Sequence, residues 1–84
     1  MTAEELKIGK GYKLILQSLL EKEMDALAVY KNVQGKEGIE SIFTVARALS
    51  DLELRGLVRV VSRRKMGFLA PVYKITLKGR KLVT

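Results

Sequence analysis

The sequence contains no cysteine, no histidine and no tryptophan. Without cysteine no disulfide can form, and without cysteine and histidine the usual zinc sites and Cys/His catalysis are excluded. The remaining acidic residues, Asp25, Asp51 and seven glutamates, do not have the spacing of a metal-binding loop. No Ser-His or paired-carboxylate arrangement is present either. We therefore expect no metal, no cofactor and no catalytic residues, so the protein is not expected to be an enzyme.

Long hydrophobic runs are also missing. The longest apolar stretches are short, such as Leu14–Leu16 and Phe68–Val72, whereas a transmembrane helix needs about 20 apolar residues. The first residues, MTAEELKIGKG, have neither the basic start nor the apolar segment of a secretory signal. We expect no membrane partner. We expect a cytoplasmic protein that is associated with the nucleoid or, if it is viral, lies in the host cytoplasm. No site for a small-molecule substrate is evident.

The size of the chain predicts a single domain over residues 1–84. Hydrophobic residues make up 48% of the sequence and charged residues 30%, which is typical of a folded domain. So short a chain has a small core, and dimerisation would add to its stability. Because Leu14, Leu16 and Leu20 are expected to exceed what one small core can cover, we expect a homodimer.

Positive charge is concentrated in the second half of the chain. Residues 1–42 hold six Lys and seven Asp or Glu, a net charge of −1. Residues 43–84 hold ten Lys or Arg and two Asp or Glu, a net charge of +8, so this half accounts for the +7 of the whole chain. Such segregation within a small domain indicates a polyanionic partner, and ordinary solubilising charge is the alternative.

Hydrophobic spacing predicts three helices. The first runs from about Ala3 or Lys10 to Glu23. Asp25 can cap a shorter second helix, which stops at the turn VQGKEG. The third runs from about residue 39 or 40 to 55 and ends at Gly56, where a helix favours a left-handed residue. Its predicted inner face consists of Ile42, Val45, Leu49 and Leu52.

A β-rich segment follows the third helix. One strand is predicted from Leu57 to about Ser62, and a second from about Val72 to Leu77, in which Tyr73, Ile75 and Leu77 share a buried face. Thr76 can cap a last helical turn. The order predicts an α+β fold in which three helices precede a two-stranded hairpin and a short C-terminal helical turn.

The outer face of the third helix suits the major groove of a nucleic acid duplex, which is the groove wide enough for a helix. Ser41 and Thr44 are short hydrogen-bonding side chains, and Arg47 on the same face can contact a guanine or a phosphate. Ordinary solvent-facing helix residues are the alternative. Phe43 lies at the edge of this face, and we expect it to pack in the core or in a dimer contact rather than against a thymine methyl group.

Arg63, Arg64 and Lys65 are consecutive cations, predicted at the turn between the two strands. A protruding cluster of this kind can neutralise phosphates or place an arginine in the minor groove. A basic hairpin without a ligand is the alternative.

The segments Thr44–Val61 and Val72–Val83, with the basic hairpin between them, resemble the winged helix-turn-helix DNA-binding proteins of bacteria, archaea and their viruses. In that family the recognition helix ends in Leu-Glu-x-x-Gly-Leu-Val, and the closing strand has the form Tyr-x-Leu-Thr-x-x-Gly. The matching positions here, with Ile in place of Leu in the second motif, are Leu52, Glu53, Gly56, Leu57, Val58, Tyr73, Ile75, Thr76 and Gly79.

The resemblance covers about residues 12–82 and implies a transcriptional regulator that binds double-stranded DNA. It implies a recognition helix at about residues 39–55 in the major groove, with contacts near Ser41, Thr44 and Arg47. It also implies a wing at about residues 62–70 on the backbone or minor groove, with contacts from the cluster at residues 63–65. Winged helices also serve in protein assemblies, so the alternative is an interaction module that binds its partner through Met66, Phe68 and Leu69.

Overall fold

The structure is a computed structural model that describes residues 9–65 and 69–84, with side chains described at 9–61 and 71–84. Its elements, in chain order, are α1 (Lys10–Glu21), β1 (Met24–Asp25), α2 (Ala26–Val33), α3 (Ile42–Leu54), β2 (Val58–Lys65), β3 (Leu69–Ile75) and α4 (Leu77–Val83). The predicted α+β order of helices, hairpin and closing helix is confirmed. None of the helices in the described ranges is long and apolar enough to cross a membrane.

Side-chain caps set where three of the helices begin. The carboxylate of Asp25 accepts a hydrogen bond from the backbone N–H of Ala28 at 2.9 Å, as predicted for the start of α2. The Ser41 hydroxyl accepts one from Thr44 N–H at 3.3 Å at the start of α3. Thr76 caps α4 by accepting from Gly79 N–H at 3.1 Å. Each cap satisfies an amide that the first turn of a helix leaves unpaired.

The connection between α2 and α3 explains why α3 begins later than predicted. Gly35 and Gly38 both have φ of 78°, a left-handed conformation that breaks the helical path. Ile39 follows and is only 2% exposed, so it anchors the loop to the core. Ile39 is therefore a loop residue, and α3 starts at Ile42 rather than at residue 39 or 40.

The sheet has three antiparallel strands in the order β1-β3-β2. β1 was not predicted, because a two-residue strand has no periodicity of its own. It exists because Met24 lies opposite Tyr73 and Asp25 opposite Val72. The hairpin is also longer than predicted, because β2 continues to Lys65 and β3 begins at Leu69.

Leu77 was predicted on the buried face of the last strand, and this prediction is wrong. Leu77 is 79% exposed, since Thr76 ends the extended chain and starts α4. The Thr76 hydroxyl also donates to the carbonyl of Gly56 at 2.7 Å, and Lys78 Nζ donates to the carbonyl of Arg55 at 3.1 Å. The start of α4 thereby satisfies carbonyls that the end of α3 leaves open.

The core lies between the helices and the inner face of the sheet. The most deeply buried side chains are Ile15, Leu16, Leu19, Val29, Val45, Leu49, Leu52 and Val58. Leu16 is 0% exposed, and the half-buried Leu14 and Leu20 also pack against the core. The expectation that one core could not cover these leucines is therefore wrong for Leu16, because α1 packs against α2, α3, α4 and β3.

Candidate nucleic-acid interface

The direction in which α3 faces is set by its buried side. Val45, Leu49 and Leu52 are each 0% exposed, and with 3.6 residues per turn the opposite side must face solvent. The exposed residues on that side include Phe43, Thr44, Ala46, Arg47, Ser50 and Leu54. Four of them follow helical spacing along one line, which we call the outer stripe: Phe43, Arg47, Ser50 and Leu54.

Two of the three predicted helix contacts lie on free surface. Thr44 and Arg47 are exposed, and Arg47 forms no ion pair within the described part of the chain. Ser41 is only half-exposed, and its hydroxyl is engaged with the backbone N–H and lies 3.3 Å from the hydroxyl of Thr44. Ser41 therefore has a structural role as the cap, in addition to any contact it makes outside the protein.

Phe43 and Leu54 are the large apolar residues of the outer stripe. Phe43 is 77% exposed and Leu54 87% exposed. Phe43 was expected in the core or in a dimer contact; the core is wrong, because Phe43 lies on the opposite side of α3 from Val45 and Leu49, and the dimer contact stays a prediction. Ala46 and Ser50 lie between these two residues in sequence and have small side chains, so an external surface can approach the helix backbone closely there.

Tyr12 of α1 fixes one flank of α3. Its hydroxyl donates to Asp51 Oδ2 at 2.9 Å, and Arg55 Nε donates to the same oxygen at 3.2 Å. The Arg55 guanidinium also lies 5.9 Å from the centroid of the Tyr12 ring. This cluster could not be predicted from the sequence, because Tyr12 and Asp51 are 39 positions apart and no motif links them.

The electrostatics of this cluster follow from the shared carboxylate. The hydrogen bond from Tyr12, with that from Arg55, lowers the pKa of Asp51 below its usual value. Burial and the hydrogen bond to Asp51 raise the pKa of Tyr12 above its usual value. The cluster lies beside the outer stripe and leaves it uncovered: Tyr12 and Arg47 line two adjacent shallow grooves, one leading to Leu54 and the other to Phe43.

The backbone of Arg63, Arg64 and Lys65 lies in β2, opposite Pro71, Ala70 and Leu69 respectively. The prediction that these three cations occupy the turn is therefore wrong: they form the far end of the strand. The turn itself, with Met66 and Phe68, lies outside the described residues, and so do the side chains of residues 63–65.

A second basic region lies at the base of the hairpin. Arg59 of β2 and Lys74 of β3 are directly opposite each other, and both are exposed. These two residues line a shallow groove together with Lys78 and Arg80 of α4. Like charges placed opposite each other on a sheet are unfavourable, and none of the four forms an ion pair among the residues whose side chains are described. This region therefore adds to the positive potential of the second half of the chain.

The acidic residues do not form an alternative site. Among the residues that the structure describes, no group of three or more Asp or Glu is close enough to hold a metal ion.

Comparisons with known proteins identify the fold. No family model matches the chain, and no curated protein is significantly similar to it. A solved PadR family transcription regulator from Clostridium difficile superposes with a TM-score of 0.74 at 20% identity, covering 89% of this chain and 80% of that one. A transcriptional regulator from Clostridium thermocellum superposes with a TM-score of 0.71 at 20% identity, covering 96% and 79%.

Bacillus subtilis PadR, solved in complex with operator DNA, superposes with a TM-score of 0.72 at 17% identity. The match covers 86% of this chain but only 43% of that protein. PadR-family regulators are winged helix-turn-helix proteins, so the predicted winged-helix fold is confirmed. All three proteins come from bacteria. At sequence identities of 17% to 20% their likeness to this chain shows the fold and no more.

Proposed function

We propose that this protein is a DNA-binding transcriptional regulator, with α3 in the major groove and the β2–β3 hairpin on the adjacent backbone or minor groove. The observation that carries the proposal is the exposed outer side of α3, where Arg47 forms no ion pair with any side chain that the structure describes. It is supported by the shared fold with Bacillus subtilis PadR, a protein captured on operator DNA.

The chemistry of α3 suits a DNA groove. Arg47 can donate two hydrogen bonds to the O6 and N7 atoms of guanine, and the exposed Thr44 hydroxyl can bond to a base or a phosphate. Ser41 fixes the first turn of α3 through its cap, so the N-terminal amides of the helix are held in place beside the groove. These amides carry partial positive charge and favour phosphate oxygens.

The hairpin supplies the non-specific part of the affinity in this proposal. Arg63, Arg64 and Lys65 are consecutive in β2, and we propose that they neutralise DNA phosphates. The exposed Arg59 and Lys74 at its base strengthen the same positive field. If five or six cations engage phosphates, log K should fall with log salt with a slope of about −5. A binding constant that does not depend on salt would contradict this electrostatic picture.

We also propose that the protein acts in the cytoplasm as a homodimer. Operators bound by helix-turn-helix dimers have two half-sites about one DNA turn apart. α1 packs on α4, and both helices carry partly buried apolar residues, Leu14 and Leu20 in α1 and Leu82 and Val83 in α4, which leaves apolar surface for a second copy. Light scattering coupled to size exclusion tests this, and a monomer at tens of micromolar would count against it.

The decisive experiment is selection of bound sequences from a random duplex pool, after a mobility shift at low salt. We expect binding to random duplex at low salt and recovery of one preferred sequence. Failure to bind any duplex at low salt would contradict the proposed function. That outcome would favour the alternative of a protein-interaction module.

A further inference from the structure

Phe43 is an unusual residue for a solvent-facing position. It is the second residue of α3 and is 77% exposed. Moving a phenyl ring out of water is favourable, so an exposed ring favours a contact that covers it. Its neighbour one turn further on is Arg47, which is also exposed and lies on the same outer stripe. Whatever covers Phe43 must therefore also accommodate the Arg47 charge.

This pairing argues against a protein partner at Phe43. An apolar surface that covered the phenyl ring would remove water from the Arg47 guanidinium, and a buried charge without a partner is strongly unfavourable. No acidic side chain among the described residues pairs with Arg47. The major groove of DNA provides both environments side by side, because guanine presents two acceptors and thymine presents a methyl group.

We infer that Phe43 binds the 5-methyl group of a thymine that lies close to the guanine bound by Arg47. The inference rests on the proposed function and adds a preferred base to it. Four helical residues span about 6 Å and successive base pairs are about 3.4 Å apart. The thymine therefore lies one or two base pairs from the guanine.

Leu54 provides the matched control on the same stripe. It is more exposed than Phe43, at 87%, but it is the last residue of α3, about 16 Å along the helix axis from Phe43. Recognition helices contact bases through their N-terminal residues. Leu54 is therefore outside the groove, and its removal leaves thymine recognition unchanged.

Uracil tests the inference directly, because it pairs like thymine but lacks the methyl group. The preferred duplex from the random-pool selection is synthesised with each thymine replaced in turn by uracil, and Kd is measured by fluorescence anisotropy. We expect about a fourfold loss of affinity for each methyl group that Phe43 contacts, at one thymine per half-site. The Phe43→Ala protein should bind the thymine and uracil duplexes equally, and the Leu54→Ala protein should keep the wild-type preference.

Three outcomes would overturn the inference while leaving the proposed function intact. The wild-type protein could bind every uracil duplex as tightly as the parent. The Phe43→Ala protein could remain as sensitive to uracil as wild type, which would assign the methyl contact elsewhere. The Phe43→Ala change could convert a dimer to a monomer in light scattering, which would make Phe43 a subunit contact. Absence of DNA binding altogether would instead overturn the proposed function and, with it, the inference.

Discussion

The two sides of α3 both carry large apolar residues, but the fold treats them in opposite ways. Leu52 is 0% exposed, whereas Leu54, only two residues later, is 87% exposed. Two residues correspond to about 200° around a helix, so the pair points in nearly opposite directions. The inner side holds the domain together, and the outer side is exposed to solvent. Residue type alone therefore does not tell a core position from an exposed position.

The largest expected effect comes from breaking the inner side. Leu52→Ala removes a fully buried side chain and leaves a cavity, so it should lower the free energy of unfolding by about 2–5 kcal/mol. Leu54→Ala is the matched control and should change it by no more than about 0.5 kcal/mol. Urea denaturation followed by circular dichroism measures both. Similar losses for the two variants would show that Leu54 is covered in solution.

The next effect concerns the hairpin. Replacing Arg63, Arg64 and Lys65 together by Ala should weaken binding to every duplex, and should reduce the steepness of the salt dependence by about 3 if each contacts one phosphate. Anisotropy titrations across a range of salt concentrations measure this slope.

The control for the hairpin variant removes three cations from the acidic half of the chain: Lys10, Lys13 and Lys22, replaced by Ala. Its salt dependence should stay close to that of wild type. An equal fall in both triple variants would mean that overall charge, rather than the hairpin, drives binding.

The next prediction concerns Arg47, on the outer side of α3. Arg47→Ala should cost about 1–3 kcal/mol of binding free energy at the preferred sequence and much less on random duplex. Arg47→Lys keeps the charge but loses the two-pronged geometry that guanine recognition needs. If the Arg47→Lys protein binds the preferred sequence as tightly as wild type, Arg47 contacts a phosphate and not a base.

The smallest effect is at the boundary between the two sides, where Tyr12 donates to Asp51. The pKa of Asp51 is lowered from its ordinary 3.8, so its stabilising effect is complete above that pH and disappears as the pH falls through the lower folded-state value. Tyr12→Phe should therefore lower stability slightly at neutral pH and make no difference in strong acid. The unfolding temperatures of the wild-type and Tyr12→Phe proteins, measured across roughly pH 2–7, test this prediction. That pH range lies on both sides of the ordinary pKa of Asp.

Tyr30→Phe is the control for this prediction. The Tyr30 hydroxyl donates to the backbone carbonyl of Glu40 at 3.2 Å, an acceptor that does not titrate. The effect of removing it should not depend on acid pH in the way that the Tyr12→Phe effect does. A Tyr12→Phe effect that persists unchanged in strong acid would show that the bond to Asp51 is not its source.

Local patterns predicted most of the fold. The inner face of α3 follows 3.6-residue periodicity, and Val45, Leu49 and Leu52 are buried as expected. The caps at Asp25 and Thr76 were also predictable, because capping depends on residues only three positions apart. The boundaries were less accurate: Ser62–Lys65 show no alternation of apolar and polar residues in the sequence that would predict the end of β2, and the glycine turn delays α3 to Ile42.

The candidate site was predicted less completely. Thr44 and Arg47 are exposed where expected, but Phe43 lies outside the core and Arg63–Lys65 belong to a strand instead of a turn. Ser41 caps α3, and its predicted contact with DNA stays a prediction. The hydrogen bond from Tyr12 to Asp51 was not predicted. The errors concern residues whose role depends on their direction or on a distant neighbour, which short-range spacing does not encode.

The sequence by itself determined the order of the helices and the hairpin, the charge of the second half and the existence of a two-sided α3, because each depends on residue type and local spacing. Only the tertiary structure decided that Met24–Asp25 forms a strand beside Tyr73, that Tyr12 holds Asp51, and that Phe43 and Arg47 remain uncovered together. The first two features join residues that are tens of positions apart, and the third depends on which side of α3 the rest of the chain covers, so all three arise only when the helices and the sheet pack around one core.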